Sequence, residues 1–242
     1  MVYNLEDKLT VPPVIEKVKR AGFALKKPKE ENETPYWYDE ESKTLQVKNK
    51  VLMNYAEMKI KGLHNVANAL AVFAICDQLE IDTETTRKQL EVFPGLPHRC
   101  QWVNSIDAVT FVNDSKATNV GAAEAALSGL KNDYDNIILI AGGEGKDADF
   151  SALGTLIRES VAELILIGRD AEQIARAVGE ESSIHRAINM QAAVELALRL
   201  AKSKTGESSL VLLSPACASF DMYKGFEDRG NKFVEAVRGV CA

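Results

Sequence analysis

Asp114, Lys116 and Thr118 lie within five residues of one another in the run Val112-Asn113-Asp114-Ser115-Lys116-Ala117-Thr118-Asn119. An acid, an ammonium and two hydroxyls so spaced can grip an anionic ligand and steady charge that moves on it. Lys146 stands in a second polar run, Gly142-Gly143-Glu144-Gly145-Lys146-Asp147. Gly168-Arg169-Asp170 is a third, and Ser214-Pro215-Ala216-Cys217-Ala218-Ser219-Phe220-Asp221 is a fourth. A lysine beside a glycine-rich loop suits a carboxylate or phosphate oxygen held by point charge, to which Thr118 and Ser219 can add directed hydrogen bonds. A polar loop with a helix cap would explain the first run alone. Four such runs ask for a common cause.

Each run follows a short apolar stretch: residues 108–112, 136–141, 163–167 and 209–213 have the length and β-branched content of strands. Helical periodicity occupies residues 120–130, with Asn119 as the cap, and residues 150–160, 171–178 and 191–202. This alternation predicts a Rossmann-like α/β fold, a mainly parallel sheet covered on both faces. The four polar loops would then share the rim at the carboxyl ends of the strands, where such sheets bind ligands. An anionic-ligand site on that rim is the expectation.

The composition suits a folded globular protein with room for two modest domains: 242 residues, 46% hydrophobic and 26% charged. With 29 basic and 35 acidic side chains the net charge is −6, which argues against nucleic acid as a partner. The first residues lack the basic start and apolar core of a signal peptide, and no apolar run approaches the ~20 residues of a membrane span. A cytoplasmic protein with no membrane partner is expected. Cys76, Cys100, Cys217 and Cys241 are scattered, and His64, His98 and His185 add no ligand spacing, so no metal site is expected. Cys217 has small neighbours and no adjacent base, and reads as packing rather than a nucleophile.

The first hundred residues differ in texture. Residues 13–20 read as a short amphipathic helix and 23–25 as the opening of a strand. Residues 26–50 mix charge with Tyr36, Trp37, Tyr38 and Leu45 in the manner of exposed hairpins. An Ala-rich helix from Val66 and a second one over residues 83–92 follow. Pro94-Gly95-Leu96-Pro97 cannot continue that helix and reads as a hinge, which divides the chain into domains at 1–97 and 98–242. Arg99, just past it, can reach a ligand held between domains or can be a plain surface arginine.

Two phosphate signatures can be tested on residues 140–150. A P-loop would need glycine where Ile140 stands and a hydroxyl where Asp147 stands, so it fails twice. Gly143, Gly145 and Ala148 fit the dinucleotide pattern G-x-G-x-x-A, with Asp170 near the place of a ribose-binding acid. That match leaves the loops of Asn113, Ser219 and Arg99 unexplained, and an NADP-type oxidoreductase is a distant third reading.

Gly62-Leu63-His64-Asn65-Val66-Ala67-Asn68-Ala69, Gly95-Leu96-Pro97-His98-Arg99 and residues 113–119, 142–150 and 214–226 together resemble the Mur ligases, in the family's order and along nearly the whole chain. The motifs Asn-Asp-Ser-Lys-Ala-Thr-Asn and Ser-Pro-Ala-Cys-Ala-Ser resemble the branch that adds D-glutamate rather than its sister ligases or folylpolyglutamate synthases. The resemblance implies ATP-dependent amide-bond synthesis in cytoplasmic peptidoglycan assembly. The carboxylate of UDP-N-acetylmuramoyl-L-alanine takes the γ-phosphate of ATP, the amine of D-glutamate attacks the acyl phosphate, and Mg2+ neutralises phosphate charge. By matching positions, the resemblance gives Asn65 and Asn68 to the adenine, and Arg99 and Asp114 to the phosphate and ribose of the nucleotide. It gives Thr118, Lys146, Ser219, Phe220 and the backbone at Phe226 to D-glutamate, and places Lys116, as catalytic residue, beside the reacting groups.

Members of that family have three domains. The resemblance covers an incomplete α/β central ATPase domain followed by the Rossmann-like C-terminal domain, without the UDP-binding domain, the P-loop or most Mg2+ ligands. This chain alone is therefore expected not to complete the reaction, and its first part to be the less stable half with an unpaired sheet edge. The alternative is a non-catalytic module that binds a nucleotide or an acidic amino acid.

Overall fold

The computed structural model describes residues 1–28, 35–48, 50–204 and 206–241. They form two compact units, Met1–Pro94 and Gly95–Ala242.

The first unit is a sheet of β1 (Val2–Asn4), β2 (Ala21–Ala24), β3 (Tyr36–Asp39), β4 (Thr44–Val47) and β5 (Lys50–Asn54), in that spatial order, with helices α1 (Leu63–Gln78) and α2 (Thr83–Val92). β1, β2 and β3 pair in parallel, and β3, β4 and β5 antiparallel. Two expectations fail here. Residues 26–50 do hold hairpin strands, but Tyr36, Trp37, Tyr38 and Leu45 are buried. Alternation along β3 sends Tyr36 and Tyr38 into the core with Leu70 and Phe73 of α1, while Glu40, Glu41, Lys43 and Lys48 fall on turns and Lys50 on the β5 edge. Part of that stretch, residues 29–34 and 49, lies outside the described residues. Residues 13–20 are not helical. Val14 is 81% and Ile15 45% exposed, so no surface receives an apolar stripe that could repay ordering eight residues rich in β-branched side chains.

The second unit is built from β6 (Gln101–Ile106), β7 (Val109–Asn113), α3 (Val120–Leu130), β8 (Asn136–Gly142), α4 (Ser151–Ser160), β9 (Glu163–Ile167), α5 (Ala171–Val178), β10 (Ile184–Arg186), α6 (Met190–Ser203), β11 (Ser209–Leu213) and α7 (Phe226–Val240). The sheet order is β10-β9-β8-β11-β7-β6, parallel except for β6. Consecutive strand residues feed opposite cores. Ile137, Leu139, Leu164, Leu210 and Leu212 meet α3, α4 and α5, whereas Ile138, Ile140, Ile165, Val211 and Leu213 meet α6 and α7. Burial on both faces is why these strands read as unbroken apolar runs, each such side chain contributing about 1.5–3 kcal/mol relative to exposure.

The topology also decides where a ligand would go. β11 lies between β7 and β8, and the helices that follow those neighbours, α3 and α4, pack on one face, while α7 after β11 packs on the other. Chains that leave adjacent strands toward opposite faces open a crevice at the strand ends. The polar runs after β7, β8 and β11 border it.

Candidate functional site

The loop after β7 is organised from the strand end outward. Asn113 is fully buried; its Oδ1 accepts from the Ser115 amide at 3.1 Å, which fixes the amide orientation. Its Nδ2 then donates to the Gly230 carbonyl of α7 at 3.1 Å and to His98 Nδ1 at 3.0 Å. An accepting Nδ1 must be unprotonated, consistent with burial holding the His98 pKa below its ordinary value. His98 in turn accepts the Lys116 amide on its carbonyl at 3.0 Å.

Asp114 is the next tie. Ser214 Oγ donates to its Oδ2 at 2.9 Å and the Cys100 amide to its Oδ1 at 3.1 Å. Burial dominates over these bonds and over the Arg99 charge, so the carboxyl pKa is pushed up to about 6. Asp114 thus joins the turn carrying Arg99 to the loop after β11.

The third tie is Arg229 of α7, wholly buried. Its Nε donates to Ser115 Oγ at 3.0 Å and its Nη2 to the Ser115 carbonyl at 2.8 Å. Its Nη1 donates to the Cys217 carbonyl at 3.0 Å and more weakly to that of Ala218 at 3.3 Å. No ion pair is formed by this guanidinium among the described residues, and burial pulls its pKa down to about 10. One positive group therefore fastens the loop of Lys116 and Thr118 to the loop of Ser219 and leaves its charge beneath both.

The glycine-rich loop is fixed by close approach. Gly142 and Gly143 have φ of 115° and 134°, and a Cβ at these positions would lie 2.0 Å from the Ile167 carbonyl oxygen and 2.2 Å from that of Ala218. Glu144 and Ala218 exchange backbone hydrogen bonds at 2.9 and 3.0 Å, joining this loop to the one after β11. Past them Lys146 and Asp147 take φ of 52° and 56°, which presents Lys146 to solvent.

Lys116 and Phe226 are brought together, the Lys116 Nζ lying 4.0 Å from the Phe226 ring centroid. Thr118 is half-buried, Ser219 buried and Phe220 67% exposed. Phe226 opens α7, whose N-cap is Gly225 with no side-chain hydrogen bond, so the first amides of this helix face no capping side chain. Uncapped amides and the helix dipole favour an anion there. Asn65 and Asn68 belong to the first unit, on α1, where Asn65 Nδ2 donates to the Lys61 carbonyl at 2.8 Å and Asn68 Nδ2 to Asn65 Oδ1 at 3.4 Å. Arg99 is exposed.

The dinucleotide pattern finds no support in this geometry. α4 begins at Ser151, beyond the last residue of the pattern, and the Gly145 amide is taken by the Asp170 carboxylate at 2.8 Å. The acid expected on a ribose instead holds the glycine loop. Cys217 is 1% exposed and burial pushes its thiol up to about 12, as a packing role requires.

The Mur ligase glutamate ligase domain matches residues 98–217. The UDP-N-acetylmuramoylalanine--D-glutamate ligase of Teredinibacter turnerae is 51% identical over 240 residues, covering 99% of this chain and 52% of that protein. The enzyme of the same name from Saccharophagus degradans is 48% identical, covering 100% of this chain and 52% of that protein. The chain belongs to the Mur ligase family. It spans about half the length of the curated Mur ligases it matches. Among solved structures, MurF of Acinetobacter baumannii has a TM-score of 0.63 at 18% identity over 97% of this chain and 51% of that one. UDP-N-acetylmuramate-alanine ligase of Thermotoga maritima gives 0.60 at 16% identity over 90% and 48%. At such identities these two speak for the fold alone.

Reading the sequence missed Arg229 and the helix that carries it, and gave no role to Asn113 or to the His98 side chain. The signal for α7 was present: Gly230, Phe233, Ala236 and Val237 recur at helical spacing behind Glu227 and Asp228 in the first turn. Nothing marked Arg229 as buried, because an arginine in an amphipathic helix ordinarily faces water.

Proposed function

We propose that this chain supplies the amino-acid site and part of the nucleotide site of a D-glutamate-adding Mur ligase, the full activity being an ATP-dependent amide synthesis on UDP-N-acetylmuramoyl-L-alanine through an acyl phosphate. The observation that carries the reading is the rim around β11. An uncapped helix N-terminus, an ammonium without an acidic partner among the described residues and a buried guanidinium lie together where a crevice opens. These suit a dianionic amino acid, with Thr118, Lys146, Ser219, Phe220 and the Phe226 amide around its carboxylates and Lys116 beside the reacting carbonyl. Catalysis would be positioning and charge stabilisation: Lys116 offsets negative charge that develops when the amine attacks.

For the nucleotide, Arg99 is assigned to phosphate. The carboxylate of Asp114 already accepts from Ser214 and Cys100, so its part is to aim the Arg99 turn as well as to meet the ribose. Asn65 and Asn68 are assigned to adenine by their match to the family motif. Mg2+ is a different case. Among the described residues no group of three or more His, Cys, Asp or Glu side chains converges as a metal site, and no step is assigned to the ion here. No helix among them is long and apolar enough to cross a membrane.

The test mixes this chain with a protein comprising the other half of the Teredinibacter turnerae ligase. D-glutamate-dependent ADP release by the mixture, by neither part alone, and not with Lys146→Ala, is expected. Activity unchanged by Lys146→Ala would remove the amino-acid assignment, and glutamate binding with no activity in the mixture would favour a non-catalytic binding module.

A further inference from the structure

Lysine has four side-chain torsions, and an ammonium on a loop ordinarily wanders or pairs with an acid. Lys116 is placed over an aromatic ring instead. Its Nζ sits 4.0 Å from the Phe226 ring centroid, and no ion pair is formed by it among the described residues, although Glu227 and Asp228 follow Phe226 directly. The ring is itself held. The Phe226 carbonyl accepts Ser115 Oγ at 2.8 Å, and His98 meets the ring edge-on, with centroids 6.1 Å apart and planes at 78°. The backbones on either side are tied as well, Lys116 to the His98 carbonyl and Ser115 to Arg229. Ring and lysine are thus two ends of one closed set of contacts.

We propose that the aromatic ring of Phe226 is a positioning residue for Lys116, seating its ammonium at the α7 N-terminus with its positive charge uncompensated. A π face attracts a cation without cancelling its net charge, whereas an ion pair with Glu227 would neutralise the lysine before a substrate arrived. The seat lies at the residue whose backbone amide opens the uncapped helix, so the ammonium and the helix dipole act on one spot. This role of the side chain is separate from the use of the Phe226 backbone, and its value to the reaction rests on the assignment of Lys116 made above.

The experiment is NMR on the full chain, without ligand, with lysine labelled at the ε-carbon. The Lys116 resonance is identified as the one lost in Lys116→Arg. Its ε-methylene protons are expected upfield of those of the other lysines, through the ring current. Phe226→Tyr and Phe226→Trp should keep that shift and Phe226→Leu should return it to the range of the other lysines, the remaining spectrum staying native. Should Phe226→Leu fail to fold, pentafluorophenylalanine at position 226 keeps the shape, inverts the quadrupole and should release the lysine. A Lys116 resonance that does not move in Phe226→Leu, or in the fluorinated protein, overturns the seat. Because the signature is read without ligand, failure of D-glutamate to bind would count against the proposed function and leave the seat standing.

Discussion

Helices α7 and α2 differ in what they bury. α7 buries Arg229, Gly230, Phe233, Ala236 and Val237, and its arginine fastens two loops of the second unit. α2 buries only Thr86 and Leu90 of its ten residues. Cavities of about 220, 630 and 420 Å³ lie along it, the largest lined by Val72, Cys76, Ile81, Leu90, Phe93 and Pro94 among others. These three volumes are in the first unit, while the polar groups that suit an anion are on the rim of the second. The difference separates two meanings of a concave surface: apolar space left by sparse packing, and a crevice whose donors are held by buried ties. Only the second has the fixed charge geometry that binding a small polar ligand needs.

The largest effect that would break this contrast is at Arg229. Arg229→Met removes donors from Ser115, Cys217 and Ala218 and leaves buried carbonyls unpaired, for an expected loss of about 4 kcal/mol in the second unit by chemical denaturation. A loss below about 1 kcal/mol would mean that the loops hold themselves.

Asp114 comes next. Its folded pKa is raised from 3.8 to about 6, so its contribution to stability is full below 3.8 and is lost as pH rises through about 6. The shift corresponds to about 3 kcal/mol against the fold at neutral pH. Asp114→Asn should recover up to that amount at pH 7 and flatten the acid side of the stability profile, while the Ser214 hydroxyl turns to accept. His98 works in the other direction. Its pKa is lowered, so its contribution is present above the unfolded value of 6.5 and is lost as pH falls below it. A stability profile in Asp114→Asn that still rises on acidification from pH 6 to 4 would contradict the assignment.

Core truncations sharpen the comparison of units. Leu139→Ala, at a side chain with no exposure between packed layers, should cost about 3 kcal/mol. Leu90→Ala, beside the cavity of about 630 Å³, should cost about 1 kcal/mol, since part of its environment is already open. Amide exchange should likewise proceed sooner in the first unit, and uniform protection would count against the contrast. An equally small effect is expected at the cap of α3, where Asn119 Oδ1 accepts the Ala122 amide at 2.9 Å: Asn119→Ala should cost about 1 kcal/mol.

What could be read from the sequence follows from how local its causes are. β9, β11, α2, α3 and α5 occupy the residues expected of them, because unbroken apolar runs and capped periodic helices are local patterns. β6 and β10 were not foreseen: one is an edge strand with mixed polarity and the other has three residues, so neither carries the pattern of a buried strand. The polar loops were legible as strand-end punctuation. Their ties were not, since the pairings of Asp114 with Ser214 and of Ser115 with Arg229 span 100 and 114 residues. In the first unit the charges between residues 26 and 50 masked aromatics that β3 turns inward.

The central claim is that the second unit holds a pre-formed site for D-glutamate. Titration of D-glutamate against L-glutamate into the chain, followed by amide NMR with Lys146→Ala as control, addresses it most directly. Stereoselective shifts at Thr118, Lys146, Ser219 and Phe226 that vanish in the variant are the expected result. Equal responses to both enantiomers, or shifts that persist in Lys146→Ala, would contradict it.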